Sequence, residues 1–202
     1  MPRITGPDIA THVATQERIV LATAIALFSQ RGYAEVSMGD IAEAVGLART
    51  SLYRYFPDKD HILLAWLRRD MADLLERSDA IAADARGLPD PWDRLSAWIG
   101  LMVHGMATPE HAGVMSLAGQ VPLMGAELRS EVAAQHGRLS VALARILADA
   151  MRSRPSSRRV GTATVLVAGL LRSAAELLGR GADPATVHHD VGAAASATAR
   201  AL

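Results

Sequence analysis

The chain has 202 residues, of which half are apolar and only 4% are aromatic. This is enough apolar material for one extended core or two small ones, which excludes a disordered protein. The 21 basic and 21 acidic residues give a formal net charge of zero, so broad binding to polyanions is not expected. The absence of cysteine excludes disulfides, a thiolate nucleophile and a cysteine-ligated zinc site.

Abundant alanine and the lack of short alternating β-branched runs favour an all-α fold. Residues 1–12 lack the basic patch and apolar core of a secretory signal. The longest apolar stretch, 165–171, is far shorter than the roughly 20 residues that span a bilayer. We therefore expect a soluble, cytoplasmic protein with no membrane partner.

Glycine, proline and serine divide the chain into about nine helical segments. The first is predicted over residues 16–30, with Thr15 as its N-cap and Gly32 just past its end. Its apolar residues follow helical spacing: Val20, Ala24, Leu27 and Phe28. Later helices are predicted over 59–83, 91–107, 110–119, 123–152, 156–179 and 184–201.

The second and third segments form a predicted helix-turn-helix. Ser37 and Asp40 have the capping-box spacing, which predicts the start of a two-turn helix. Gly46 can adopt the left-handed conformation that ends this helix. The third helix, 48–55, ends before Pro57, and Asp58 caps the fourth helix.

The third helix carries side chains suited to reading DNA. A rotation of about 100° per residue places four of them on one arc: Arg49, Thr50, Tyr53 and Arg54. Leu52 points away from this arc, with Phe56 as its buried partner. Arginine binds guanine in two-pronged fashion, threonine contacts base edges, and tyrosine hydroxyls reach phosphates. The alternative is that this is an ordinary solvated helix face. The combination of these residues argues against that alternative more strongly than a single arginine would.

Residues 37–47 (SMGDIAEAVGL) and 52–59 (LYRYFPDK) closely resemble the DNA-binding signature of the TetR family of bacterial transcriptional regulators. Ala24, the Leu27-Phe28 pair and the Gly32-Tyr33 pair fit the same signature. The resemblance is specific over residues 16–65, and beyond them it depends on helix number and length.

The resemblance implies a role for each matched position. Tyr53 and Lys59 look like the family's phosphate contacts, and Ser37 and Tyr55 like further contacts to the DNA backbone. Arg49, Thr50 and Arg54 occupy positions that face bases or nearby phosphates. The family pattern also implies a flexible arm (1–14), a DNA-binding domain (15–58) and a ligand-binding and dimerisation domain (59–202).

The sequence departs from the family pattern at three positions of the third helix. Ala48 stands where serine is frequent, Thr50 where small residues or proline are, and Arg54 where an aromatic residue is. The operator sequence is therefore not readable. Residues 16–60 hold five basic and six acidic side chains, so we expect a few placed contacts, a modest salt dependence and weak non-specific binding.

The last two helices predict a dimer interface built from four helices. The helix at 156–179 is more apolar than one buried stripe requires, and the final helix is rich in small residues that allow close approach. The candidate interface residues are Leu166, Leu170, Ala174, Leu178, Val191 and Ala195. The alternative is that these residues pack only within one chain. A two-fold dimer would match a pseudo-palindromic site.

A ligand pocket is predicted among the middle helices, because methionine adapts to varied apolar guests. The candidates are Trp66, Trp98, Met102, Met106, Met115, Met124 and His136. The plainer alternative is that they form ordinary core. We expect an apolar or amphipathic effector that releases a repressor from its operator.

Two other classes of function are alternatives for this sequence. An enzyme is disfavoured because the histidines lack metal-binding spacing. The Gly-Arg-Gly sequence at 179–181 also lacks the preceding strand and the third glycine of a dinucleotide-binding loop. No cofactor, metal or catalytic residue is therefore expected. A helical protein-interaction module is supported only by the apolar C-terminal helices. Binding to operator DNA would separate these alternatives.

Overall fold

The computed structural model describes residues 6–83, 87–108, 118–151 and 156–202. These residues form helices and no strand, which confirms the all-α prediction for the described part of the chain. The helices are α1 (Gly6–Arg31), α2 (Met38–Ala44), α3 (Arg49–Tyr55), α4 (Lys59–Ala83), α5 (Pro91–Met106), the 3-10 segment η1 (Ala118–Leu123), α6 (Ala126–Ala150), α7 (Ser157–Gly179) and α8 (Pro184–Ala201). Most of the helix predicted at 110–119, including Met115, lies outside the described residues.

The start of the first helix was predicted wrongly. α1 begins at Gly6, so Thr15 lies inside the helix and is not its N-cap, and residues 6–14 of the predicted arm are helical. Pro7 is tolerated in a first turn because the N–H it lacks would have no acceptor there, and nothing between it and Gln16 breaks a helix. The predicted end is confirmed, since Gly32 follows with a φ of 87°.

The chain divides into two compact units. Unit 1 contains the described residues up to Arg69 together with 118–131, and unit 2 contains those of 70–115 and 132–202. One boundary therefore falls inside α4, and a short segment from the later half of the chain belongs to the unit that holds the helix-turn-helix.

Unit 1 is organised around the first three helices, with α1 packed on α2 and α2 on α3. Each of these helices contributes fully buried apolar side chains to it: Val20, Ala24, Phe28, Ile41 and Leu52. The rings of Phe28 and Tyr33 lie 5.2 Å apart and tilted, which is a favourable geometry for aromatic pairs.

Unit 2 has its core where α7 packs on α8 and α5 packs on both. Trp98, Ile99, Ile146 and Val167 are among its buried residues. The indole N–H of Trp98 donates to the Ser78 hydroxyl at 2.8 Å, so this buried polar group is satisfied.

Among the described helices, α7 is long and apolar enough to cross a membrane by length and composition alone. It passes this test because small and apolar residues continue on both sides of 165–171. Helices of soluble proteins pass the same test, so the finding is weak evidence for a membrane span.

Candidate nucleic-acid interface

The capping box predicted at the start of α2 is present. The Ser37 hydroxyl oxygen accepts a hydrogen bond from the Asp40 N–H at 3.2 Å, and the Asp40 carboxylate accepts one from the Ser37 N–H at 2.8 Å. The Ser37 hydroxyl also donates to the Asp40 carboxylate. This hydrogen bond and the one from the Ser37 N–H, with a smaller contribution from Arg31, hold the pKa of Asp40 below its usual value. Ser37 is exposed, and its contact to the sugar–phosphate backbone of DNA remains a prediction.

The turn between α2 and α3 has the geometry predicted from Gly46. Gly46 has a φ of 70°, and the N–H of the following Leu47 donates to the carbonyl of Ala42 at 2.9 Å. A non-glycine residue is strained at this φ, so the glycine fixes where α2 ends. Ala48 then begins α3 with an extended backbone and no side-chain cap.

The orientation predicted for α3 is confirmed. Leu52 is fully buried and Phe56 is 7% exposed, so the anchoring side faces the core of unit 1. The residues of the predicted reading arc are all exposed: Arg49, Thr50, Tyr53 and Arg54. Tyr55 lies at the margin of this surface and is half-buried.

The two arginines of α3 differ in what holds them. One guanidinium nitrogen of Arg49 donates to the Tyr53 hydroxyl at 3.2 Å, and its guanidinium carbon lies 5.7 Å from the centroid of the Tyr53 ring. Four of its five N–H groups are still available. Arg54 makes no hydrogen bond or ion pair within the described residues, so its whole donor set is available to a base or a phosphate.

Lys59 is engaged by the loop before α2, and its contact to a DNA phosphate stays a prediction. Its ammonium group donates to the backbone carbonyls of Tyr33 at 2.6 Å, Val36 at 3.0 Å and Ala34 at 3.3 Å. An ammonium group has three donors, so all three are used within the chain. It also lies 4.3 Å from the centroid of the Tyr33 ring, a cation–π distance. In this structure Lys59 holds the loop before α2.

Asp58 caps α4 as predicted. Its carboxylate accepts the backbone N–H of His61 at 2.9 Å and lies 2.8 Å from Nδ1 of the same residue. Partial burial acts to raise the pKa of Asp58, but the hydrogen bonds and charge of His61 outweigh it and hold that pKa below its usual value. The same hydrogen bond raises the pKa of His61.

Sequence reasoning missed two contacts that tie the loop before α2 to the segment at 118–131. Asp60 accepts hydrogen bonds from the Tyr33 hydroxyl and from the N–H of Gly125, which lies 65 positions further along the chain. The side chain of Gln120 accepts the N–H of Ala34 at 3.3 Å. No sequence spacing indicates contacts of this range.

The predicted ligand-binding residues that the structure describes belong to both units, and their role stays a prediction. Trp98 and Met102 are buried in the core of unit 2, with Met106 packed against it. Trp66 and Met124 are buried in unit 1, and His136 is exposed on α6.

Each unit has an open cleft among its described residues, and neither of these two clefts is lined by a predicted ligand-binding residue. One, of about 550 Å³, is lined in unit 2 by Trp92, Met151, Arg159 and Arg200 among others. The other, of about 430 Å³, is lined in unit 1 by Tyr33, Lys59 and Leu123 with their neighbours. The position of an effector site remains a prediction.

The predicted dimer residues fall into two groups. Ala174, Val191 and Ala195 are buried within the chain, because α7 and α8 pack on each other and leave no surface at these positions. Leu166 is 46% exposed, and Leu170 and Leu178 are half-buried. Val165 and Leu177, which were not predicted, are also exposed on α7, at 67% and 46%.

Comparison with known proteins finds the family described as bacterial regulatory proteins, tetR family, whose model matches residues 20–66. The HTH-type transcriptional repressor KstR of Mycolicibacterium smegmatis is 37% identical over 91 residues, which are 45% of this chain and 43% of KstR. The aligned part thus spans less than half the length of this relative.

Solved structures resemble nearly the whole chain. A TetR-like transcriptional regulator from Rhodococcus sp. RHA1 has a TM-score of 0.73 at 21% identity and covers 96% of each chain. A regulator from Saccharomonospora viridis, solved in complex with choline, has a TM-score of 0.68 at 19% identity and covers 88% of this chain and 94% of its own. At these identities the likeness shows the fold alone.

Proposed function

The chain belongs to the TetR family of bacterial regulatory proteins, and on that premise we propose that it is a cytoplasmic transcriptional repressor. It binds a pseudo-palindromic operator as a homodimer, and a small apolar or amphipathic effector releases it. The observation that carries this proposal is the exposed face of α3, where Arg49, Thr50, Tyr53 and Arg54 stand opposite the buried Leu52.

The chemistry of α3 suits direct readout in the major groove. A guanidinium can donate two parallel hydrogen bonds to O6 and N7 of guanine, and Arg54 has its donors available for this. Contact between Arg49 and Tyr53 restricts both side chains before they meet DNA, which lowers the conformational entropy lost on binding. Since the helix-turn-helix region has no excess of basic residues, affinity depends on these few contacts.

A dimer is supported by the exposed apolar side chains of α7. Val165, Leu166 and Leu177 present apolar surface to solvent in the single chain. Leu166 and Leu177 are about three helical turns apart and so share one face of α7. Exposed apolar surface on a helix face marks interaction sites. A two-fold dimer would present two copies of α3 to successive turns of one DNA face. We propose this face of α7, with the margins of Leu170 and Leu178, as the contact between copies.

The effector is proposed to act by shifting a population of conformations. A ligand releases DNA only if it binds the DNA-incompetent state more tightly than the other state. The choline complex of the Saccharomonospora viridis regulator supports a small-molecule effector in general, without indicating which compound binds this chain.

The proposal is tested by gel shift with DNA from beside the protein's own gene. Arg54→Ala and Arg49→Ala should weaken specific binding, whereas Arg145→Ala, an exposed arginine on α6 in unit 2, should leave it unchanged. If all four proteins bind neither this DNA nor any fragment of a genomic library, the repressor assignment is wrong and a helical interaction module becomes the better explanation.

The dimer is tested by sedimentation velocity on Leu166→Glu and on Val141→Glu. Val141 is 71% exposed on α6, so it is a matched control for placing a charge on an exposed apolar residue. We expect Leu166→Glu to shift the protein to monomer and to abolish tight operator binding, while Val141→Glu stays dimeric. A monomeric wild type, or a dimeric Leu166→Glu, would contradict this choice of interface.

A further inference from the structure

The loop before α2 is held by side chains from the first turn of α4. Lys59 binds three carbonyls of this loop, and the neighbouring Asp60 accepts the hydroxyl hydrogen of Tyr33. Burial of the Tyr33 ring, together with the Asp60 carboxylate, raises the pKa of Tyr33. Its hydroxyl therefore stays protonated, and remains a donor, at any physiological pH.

Asp60 uses its second carboxylate oxygen on a distant part of the chain. This oxygen accepts the N–H of Gly125, just before α6, at 2.9 Å. One carboxylate thus joins the loop before α2 to the segment at 118–131. Both belong to unit 1, so the contact lies within a single compact unit.

The fit at Gly125 leaves no room for a side chain. A Cβ added at Gly125 would lie 2.4 Å from the Asp60 carboxylate oxygen, closer than nonbonded atoms can approach. Gly137, further along on α6, has open space at the same position. Alanine at Gly125 would therefore displace the Asp60 carboxylate, whereas alanine at Gly137 would not.

A second contact runs parallel to the first. Gln120 of η1 accepts the N–H of Ala34, and its side chain also packs beside Gly32, where a Cβ would lie 3.4 Å from it. On the other side of Gly125, Arg68 of α4 pairs with Glu127 at 3.3 Å and Glu131 at 3.1 Å. These ion pairs are exposed and contribute little, so Asp60 is the more deeply placed connection.

We propose that Asp60 is a positioning residue for DNA reading, through which the segment at 118–131 sets the placement of the loop before α2 and of the two helices that follow. The inference rests on the proposed function, since it assigns a regulatory contact to the same DNA-binding surface.

The path from Asp60 to α3 is short. Tyr33 stands four residues before Ser37, the N-cap of α2, and Gly46 fixes the angle between α2 and α3. A displacement of the loop therefore moves the start of α2, and α3 moves with it because the two helices pack on each other. If 118–131 shifts away from the loop, the Asp60 carboxylate cannot accept both the Tyr33 hydroxyl and the Gly125 N–H at hydrogen-bonding distance. Hydrogen bonds weaken steeply with distance and angle, so one of the two is lost.

The experiment compares Gly125→Ala with Gly137→Ala, and adds Tyr33→Phe, Asp60→Ala and Asp60→Asn. Amide hydrogen exchange at residues 33–37 and affinity for the operator fragment are measured on each full-length protein. We expect Gly125→Ala, Tyr33→Phe and Asp60→Ala each to speed loop exchange and to weaken operator binding by at least about fivefold, the low end of measured coupling between sites. Gly137→Ala should match wild type in both.

A purely structural role would not produce two further results. Asp60→Asn keeps one acceptor for Gly125 and gains a donor for the Tyr33 oxygen, so it should recover much of the affinity that Asp60→Ala loses. The double variant Asp60→Ala, Gly125→Ala should bind no more weakly than Asp60→Ala alone, because both act through one contact.

The outcomes separate this inference from the proposed function. A wild type that binds no DNA overturns the repressor assignment and the inference with it. A wild type that binds operator, with Gly125→Ala equal to Gly137→Ala in loop exchange or in affinity, overturns the inference alone. Additive losses in the double variant also overturn it. If Asp60→Ala fails to fold, Gly125→Ala and Tyr33→Phe decide the question, since each removes only one side of the contact.

Discussion

Replacing Ala48 by serine should stabilise the fold. Ala48 is the N-cap of α3, with φ −62° and ψ 140°, and it makes no side-chain hydrogen bond. The first N–H groups of α3 therefore lack the side-chain acceptor that an N-cap usually provides. At the start of α2 the same position is filled by Ser37, whose hydroxyl oxygen accepts the N–H of Asp40, so the chain contains its own model of the missing contact.

The expected gain is about 0.5–1 kcal/mol in the free energy of unfolding, the lower part of the range measured for N-caps. The lower part applies because Ala48 and Thr50 are exposed, so water already satisfies these N–H groups in part. The carbonyl of Ala48 already accepts the N–H groups of Ser51 and Leu52 at 2.9 and 3.1 Å, so the helix start needs no rearrangement to receive a hydroxyl. A gain of this size corresponds to about 1–4 °C in the melting temperature of a chain of this length.

Urea denaturation followed by circular dichroism measures the effect, with Ala44→Ser as control. Ala44 is exposed in the last turn of α2, where serine has no cap to form and is a poorer helix former than alanine. We expect the urea concentration at the unfolding midpoint to rise for Ala48→Ser and to stay equal or fall for Ala44→Ser. The dependence of the unfolding free energy on urea concentration should be unchanged in both. An unchanged or lower midpoint for Ala48→Ser would refute the reasoning that α3 lacks a cap.

Three further predictions follow from single contacts. Arg54→Ala should reduce operator affinity by about 1–3 kcal/mol and relax preference at one base pair, which a gel-shift competition with single-base variants measures; equal losses on all sequences would make Arg54 a phosphate contact. The pKa of His61 is raised by Asp58, so their pairing stabilises fully below the unfolded value of about 6.5 and is lost as pH rises through the folded one. His61→Ala should therefore lower the urea midpoint more at pH about 5.5 than at about 8, and a difference independent of pH would contradict this. Ser78→Ala leaves the buried indole N–H of Trp98 without its acceptor and should cost about 1–3 kcal/mol. Adding Trp98→Phe, which removes the donor, should then cost less than the sum of the single changes, and strict additivity would argue against the hydrogen bond.

Short-range patterns predicted the helix-turn-helix well. The capping box of Ser37 and Asp40, the turn at Gly46 and the burial of Leu52 each depend on residues within a few positions of one another. The error at the start of α1 is of the same local kind. Thr15 is a good N-cap residue, but such a residue begins a helix only where the chain before it cannot be helical. Residues 6–14 can be helical, so the helix begins earlier.

Roles that depend on long-range contacts could not be read from the sequence. The apolar residues of α7 and α8 would follow the same helical periodicity if they packed within the chain or against a second copy, so the pattern does not distinguish the two. The structure buries Ala174, Val191 and Ala195 inside unit 2 and leaves Leu166 exposed, and this distinction depends on how α8 returns along α7. Trp98 and Met102 are likewise buried in the core of unit 2, and composition alone does not separate a pocket wall from a packed interior, so their role in ligand binding stays a prediction.

Lys59 makes contacts within the chain that its residue type does not indicate. A lysine in the first turn of a helix, beside a DNA-reading element, has the charge and place of a phosphate contact. Here three carbonyls of the loop before α2 lie within reach of its ammonium group, and they take all three of its donors. Its charge therefore fixes the loop that positions α2, while the cations that α3 itself presents are Arg49 and Arg54. Recognition by this surface then depends on the orientation of two side chains more than on charge, and that orientation is what the caps, the Gly46 turn and the contacts of Lys59 and Asp60 maintain.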